Sequence, residues 1–160
     1  PFGPFVHPGK YTIRLIVDGK ITTQSLQVRL DPRTVISNED LKLQTDLSMQ
    51  CYDNYNSLQS FRDAIDSRLN NPKAKWKKKQ QEVFKNLRGD GEPDSGDILY
   101  SSISETSVEK ETIVSLQDKL LYMLTVLQST EGRPTEHAIE AVAKLNKRFA
   151  EISAKWNAIK

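Results

Sequence analysis

The chain has one cysteine, Cys51, and two histidines, His7 and His137, and these shortages exclude most site chemistry before any pattern is sought. A single cysteine rules out an intramolecular disulfide and any multi-cysteine zinc site. Cys51 falls among helical core positions, where a free thiol behaves as a small hydrophobe, and is expected to be buried. His7 stands in a proline-rich lead-in and His137 in the first turn of a helix, too far apart to form a pair at metal-ligand spacing or a motif for acid-base catalysis. Both are expected to be exposed. Glycine-rich phosphate loops and dinucleotide fingerprints are missing. Long hydrophobic runs are missing as well, none approaching the roughly 18 residues of a membrane span. The opening Pro1-Phe2-Gly3-Pro4-Phe5 lacks the basic and apolar regions of a signal peptide, so a secreted parent would carry its signal upstream. The net charge of +2 supplies no overall field for nucleic acid or an anionic membrane. The expectation is a chain with no catalytic, cofactor or metal residues, and not an enzyme in its own right.

What the sequence does have is periodicity. Its 160 residues suffice for one domain, or for a small domain with an appendage, and 28% charged residues suit amphipathic helices that keep charge outside. Residues 10 to 30 carry the clearest local signal. Two runs rich in β-branched residues flank Asp18-Gly19, a pair suited to a two-residue type I′ turn, and predict a β-hairpin. Counting outward from the turn sets Val17 against Lys20, Leu15 against Thr22, Ile13 against Gln24 and Tyr11 against Leu26. One face then carries Tyr11, Ile13, Leu15 and Val17, continuing through Leu26, Val28 and Leu30. The other carries Thr12, Arg14, Thr23, Ser25, Gln27 and Arg29, interrupted by Ile16 and Ile21 near the tip. A lone hairpin is marginal in water, so an apolar stripe of this length must be covered by the rest of the chain or by strands outside it. This stripe is the candidate interaction face.

Helical patterns fill the remainder. Ser37, followed by Glu39 and Asp40, marks a helix start by side-chain capping and early negative charge. Leu43, Leu47, Cys51, Tyr55, Leu58, Phe61, Ile65 and Leu69 then recur at steps of three and four, predicting a helix from about 38 to 69. Asn70-Asn71-Pro72 ends it, with Pro72 placed to begin the next helix. That second helix has Trp76, Gln80, Val83, Phe84 and Leu87 on its apolar side and closes at Arg88-Gly89. Residues 89 to 107 read as a long loop. A third helix carries Ile113, Leu116, Leu120, Met123, Leu124 and Leu127 and stops near Glu131-Gly132, and a fourth carries Ile139, Val142, Leu145, Phe149, Ile152, Trp156 and Ile159. The fold class is mainly α, an antiparallel four-helix bundle preceded by an N-terminal β-hairpin. The division falls into residues 1–36 for the hairpin and 37–160 for the bundle.

Two charge clusters invite chemistry and are better explained without it. Asp90, Glu92, Asp94 and Asp97 alternate acids with small residues but lack the spacing and final glutamate of a calcium loop. Lys73, Lys75, Lys77, Lys78 and Lys79 surround Trp76, yet on a helix they spread around the circumference while Trp76 keeps phase with Val83 and Leu87. That favours packing, so no nucleic acid is expected as a partner. Tyr52, Tyr55 and Tyr122 fit bundle positions with buried rings and wet hydroxyls.

The run Pro8-Gly9-Lys10-Tyr11-Thr12-Ile13-Arg14-Leu15, then Val17-Asp18-Gly19-Lys20, then Leu26-Gln27-Val28-Arg29-Leu30-Asp31-Pro32-Arg33 resembles the last two strands of an immunoglobulin-like β-sandwich. More specifically, it is similar to the segment that follows the β-propeller in bacterial proteins with sortilin-like or BNR-type repeats, often labelled glycosyl hydrolases. In those proteins the hairpin ends in Asp-Pro-Arg and leads into a helical tail, a layout shared by Leu41 to Leu47 and the closing Lys155-Trp156-Asn157-Ala158. The resemblance implies a non-catalytic C-terminal structural and protein-interaction module of a larger secreted, periplasmic or cell-surface protein, partnered by an upstream propeller or sandwich of the same polypeptide or by another protein. The propeller blades are not in this chain, so no family catalytic residue carries over to it. Two other readings fit the sequence. One is an accessory part of a hydrolase whose loop at 89 to 107 reaches an active site in the propeller. The other is an anion- or nucleic-acid-binding helical protein built on the lysine run. Free hairpin edges also allow a homodimer.

Overall fold

The computed structural model describes residues 3–71, 76–91, 111–130 and 132–159. It shows a mainly helical chain, four helices bundled behind an N-terminal hairpin. Strands β1 (Gly9–Val17) and β2 (Lys20–Val28) pair antiparallel, with Val17 opposite Lys20, Leu15 opposite Thr22, Ile13 opposite Gln24 and Tyr11 opposite Leu26. The reason is the turn. Asp18 and Gly19 both adopt positive φ, 48° and 76°, the conformation a type I′ turn requires and one that Asp and Gly tolerate best. A two-residue turn leaves no freedom in the register that follows it.

Helix α1 (Asn38–Leu69) has the bounds expected from its periodicity. The Ser37 hydroxyl accepts the amide of Asp40 at 3.0 Å and stops one of the orphan donors from going unpaired. Leu47, Cys51, Leu58 and Ile65 form its buried face. Helix α3 (Ile113–Leu127) lies antiparallel along it, as the contacts of Gln44 with the Leu127 carbonyl and of Gln117 with Gln59 show. It ends a few residues before Glu131-Gly132, where the sequence reading placed its stop. Helix α4 (Glu136–Ile159) returns antiparallel to α3, started by Thr135, whose hydroxyl accepts the Ala138 amide.

Helix α2 (Lys78–Arg88) is short and departs from the sequence reading in its details. Phe84 and Leu87 are buried as expected, but Gln80 and Val83 face solvent. The cause is placement. The Trp76 indole donates to the Arg68 carbonyl at 3.0 Å and Arg88 pairs with Asp66 at 2.6 Å, so both ends of α2 are held at the same level of α1. Only one narrow stripe of α2 therefore meets the core. Trp76 still packs, edge-on to Phe84 with ring centroids 5.4 Å apart, but from the segment preceding the helix. Gly89, at φ 84°, closes α2 against the Thr112 side chain that caps α3, and a Cβ at this position would run into that side chain. Pro72, Lys73 and Lys75, and all but the first residues of the 89-to-107 loop, lie outside the described residues.

The core is continuous along the bundle. Leu58, Ile65, Ile113, Leu116, Leu120 and Val142 are fully enclosed. At the α2 end, Phe61 stacks on Trp156 at 5.6 Å, and the Arg68 guanidinium lies over the Trp156 ring at 4.8 Å. A cation on an aromatic face in partly desolvated surroundings stabilises by about 1 kcal/mol.

Candidate interaction surface

The hairpin stands at the opposite end of the bundle, and its base is fastened there at few points. The Phe5 amide donates to the Gln128 side chain at the end of α3. Val28 and Leu30 are half-buried, beside a cavity of about 270 Å³ whose far wall includes Leu41 and Ser48 of α1. The chain then leaves through a tight turn. Arg33 donates from its amide and guanidinium to Asp31, with the closest contact 2.6 Å, and the Thr34 amide returns to the Asp31 carbonyl. Those Arg33 bonds hold the Asp31 carboxyl below the usual carboxylate range.

Beyond this base no described residue of the bundle covers the candidate face. Ile13, Leu15 and Val17 are 52%, 60% and 54% exposed, and Tyr11 and Leu26 are exposed as well. On the opposite face the cross-strand pair Ile16 and Ile21 is 56% and 59% exposed. Among the described residues no helix lies over this face. Of the seven residues assigned to this face from the sequence, only Val28 and Leu30 approach the helices.

The structure also shows an unequal distribution across the sheet. On the stripe side β1 contributes Tyr11, Ile13, Leu15 and Val17, whereas their partners on β2 near the tip are Gln24, Thr22 and Lys20. The apolar surface is a column along β1, with Leu26 and Val28 joining only at the base.

Among the described residues the remaining candidates form no converging site. Cys51 is fully enclosed in the core and burial pushes its thiol up to about 12, which removes the thiolate needed for reactivity at neutral pH. His137 is exposed as expected; His7, expected to be exposed, is instead half-buried, with its Nδ1 3.0 Å from the Pro8 carbonyl. Tyr52, Tyr55 and Tyr122 are half-buried. Lys77, Lys78 and Lys79 are exposed. Among the described residues no group of three or more potential metal ligands comes together, and no helix is long and apolar enough to cross a membrane.

Two polar arrangements were not legible in the sequence. Glu111 accepts from Lys119 at 2.9 Å and from Arg148 at 3.0 Å, beside a cavity of about 230 Å³ between α3 and α4. Asn146 of α4 accepts from Asn54 and donates to Gln50, both at 2.7 Å, and so fastens α4 to α1. Each joins residues remote in sequence, and no local spacing announces it. No family model, no curated protein and no solved structure matches this chain.

Proposed function

We propose that the chain is a non-catalytic structural and protein-interaction module of a larger secreted or cell-envelope protein, in which the hairpin contributes two strands to an immunoglobulin-like sandwich. The observation that carries this reading is the contrast within one chain: a bundle with an enclosed core, and a well-registered hairpin whose apolar column faces water. An isolated two-stranded ribbon gains too little burial to justify such a column, and a sandwich face covers it. The resemblance of Pro8 to Arg33 to the strands following a sortilin-like or BNR-type propeller supports that setting. The helices then act as a rigid foot. The Asp31–Arg33 turn ends the sheet and the Ser37 cap begins the foot.

Hydrogen exchange of the native polypeptide that contains this chain, compared with exchange of the chain alone, tests the reading. Amides of residues 9–28 should be protected at least tenfold more strongly in the larger protein. Equal exchange in both would reject it.

A further inference from the structure

The lateral asymmetry of the hairpin assigns its two edges different roles. We infer that β1 is the interior strand and β2 the edge strand of the completed sheet, and that the free edge of β1 takes an extended strand in which apolar residues alternate with acidic ones. This rests on the proposed function and adds which edge is used and what chemistry the incoming strand carries.

Three observations converge. Apolar side chains need cover on both flanks, and they occupy β1 from Tyr11 to Val17, while β2 places Lys20, Thr22 and Gln24 on the same face. Inward-facing charge is a device by which natural edge strands discourage further pairing, and Lys20 is so placed. Second, the backbone of β1 is ready to pair. Val17 and Lys20 flank a two-residue turn and exchange both ladder bonds, so the alternate residues Lys10, Thr12, Arg14 and Ile16 aim their backbone groups outward. Third, the two strands contain Lys10, Arg14 and Lys20 and no acidic residue. A strand docked on β1 meets the apolar column on one face and Lys10 and Arg14 on the other. Opposite charges directly across strands are favourable and like charges unfavourable, which selects an acidic strand over a second copy of this cationic one.

The test uses two extended peptides of about nine residues, one alternating valine with glutamate and one alternating valine with lysine, added to the whole chain at low salt and followed by amide chemical shifts. The glutamate peptide should bind about tenfold more tightly than the lysine peptide. Its shifts should centre on Thr12, Arg14 and Ile16. Thr12→Pro removes an outward amide without touching the ladder and should abolish binding, whereas Ser25→Pro, its counterpart on β2, should leave it intact. The double variant Lys10→Glu/Arg14→Glu keeps the backbone unchanged and should reverse the peptide preference. Binding lost in Ser25→Pro and kept in Thr12→Pro would overturn the edge assignment while leaving the proposed function standing. Failure of the native chain to bind either peptide would overturn the inference, as would self-association through β1 that Thr12→Pro abolishes. The exchange comparison with the larger protein judges the underlying reading separately.

Discussion

The bundle and the hairpin use the same kinds of residue in opposite ways. In the bundle, Leu58, Ile65, Leu116 and Leu120 are wholly enclosed; in the hairpin, Ile13, Leu15 and Val17 keep half or more of their surface in water. Each enclosed leucine or isoleucine contributes about 1.5–3 kcal/mol relative to exposure, a gain the hairpin's stripe has not yet made. The bundle's apolar side chains have made that gain and those of the hairpin column have not. The lesson is that regular secondary structure and completed packing are separate achievements. The Asp18-Gly19 turn specifies the register of β1 and β2 locally, without requiring that anything cover the result.

The comparison can be broken most forcefully in the core. Leu58→Ala should cost about 2–5 kcal/mol in urea unfolding followed by helical circular dichroism, since it opens a cavity among packed neighbours. Gly89→Ala should cost about 1–3 kcal/mol in the same assay, because it combines a positive φ with a collision against Thr112. Ser37→Ala should cost about 1 kcal/mol by removing the α1 cap.

The same cap gives a pH signature. Ser37 and then Arg133 hydrogen bonds lower the Asp40 carboxyl below its ordinary 3.8. A carboxylate lowered on folding stabilises the native state above its unfolded value, and that contribution fades as the pH falls through the lowered folded value. Acid unfolding of Asp40→Asn should accordingly show a shallower loss of stability below pH 3.8 than the native chain. An unchanged acid limb would remove Asp40 from the account. The smallest effect belongs to the hairpin. Ile13→Ser in the isolated chain should change bundle stability by less than about 0.5 kcal/mol, as surface substitutions do. A loss comparable with Leu58→Ala would erase the contrast.

Much of the fold was legible in the sequence because its determinants are local. The turn pair set every cross-strand partner, and Ser37 with Asn70 bounded a helix whose interior follows the three-and-four repeat. In helix α2 tertiary placement overrides periodicity. Val83 has the phase of a core residue, but the ties of Trp76 to Arg68 and of Arg88 to Asp66 leave it facing solvent. The Glu111–Lys119–Arg148 and Gln50–Asn54–Asn146 groups needed the folded helices to become visible. The candidate face was legible by alternation alone. Its confinement to β1 near the tip follows from the same pairing counted from the turn, which sets Lys20, Thr22 and Gln24 opposite Val17, Leu15 and Ile13.

Amide exchange in the native chain and in Leu58→Ala, measured together for the hairpin and for α3, tests the central claim most directly. If the two regions are independent, the substitution accelerates exchange in α3 and leaves β1 and β2 amides unchanged, opening at their own lower free energy. If hairpin and α3 amides accelerate by the same factor, the hairpin belongs to the bundle's cooperative unit, and the account of an unfinished sheet is contradicted.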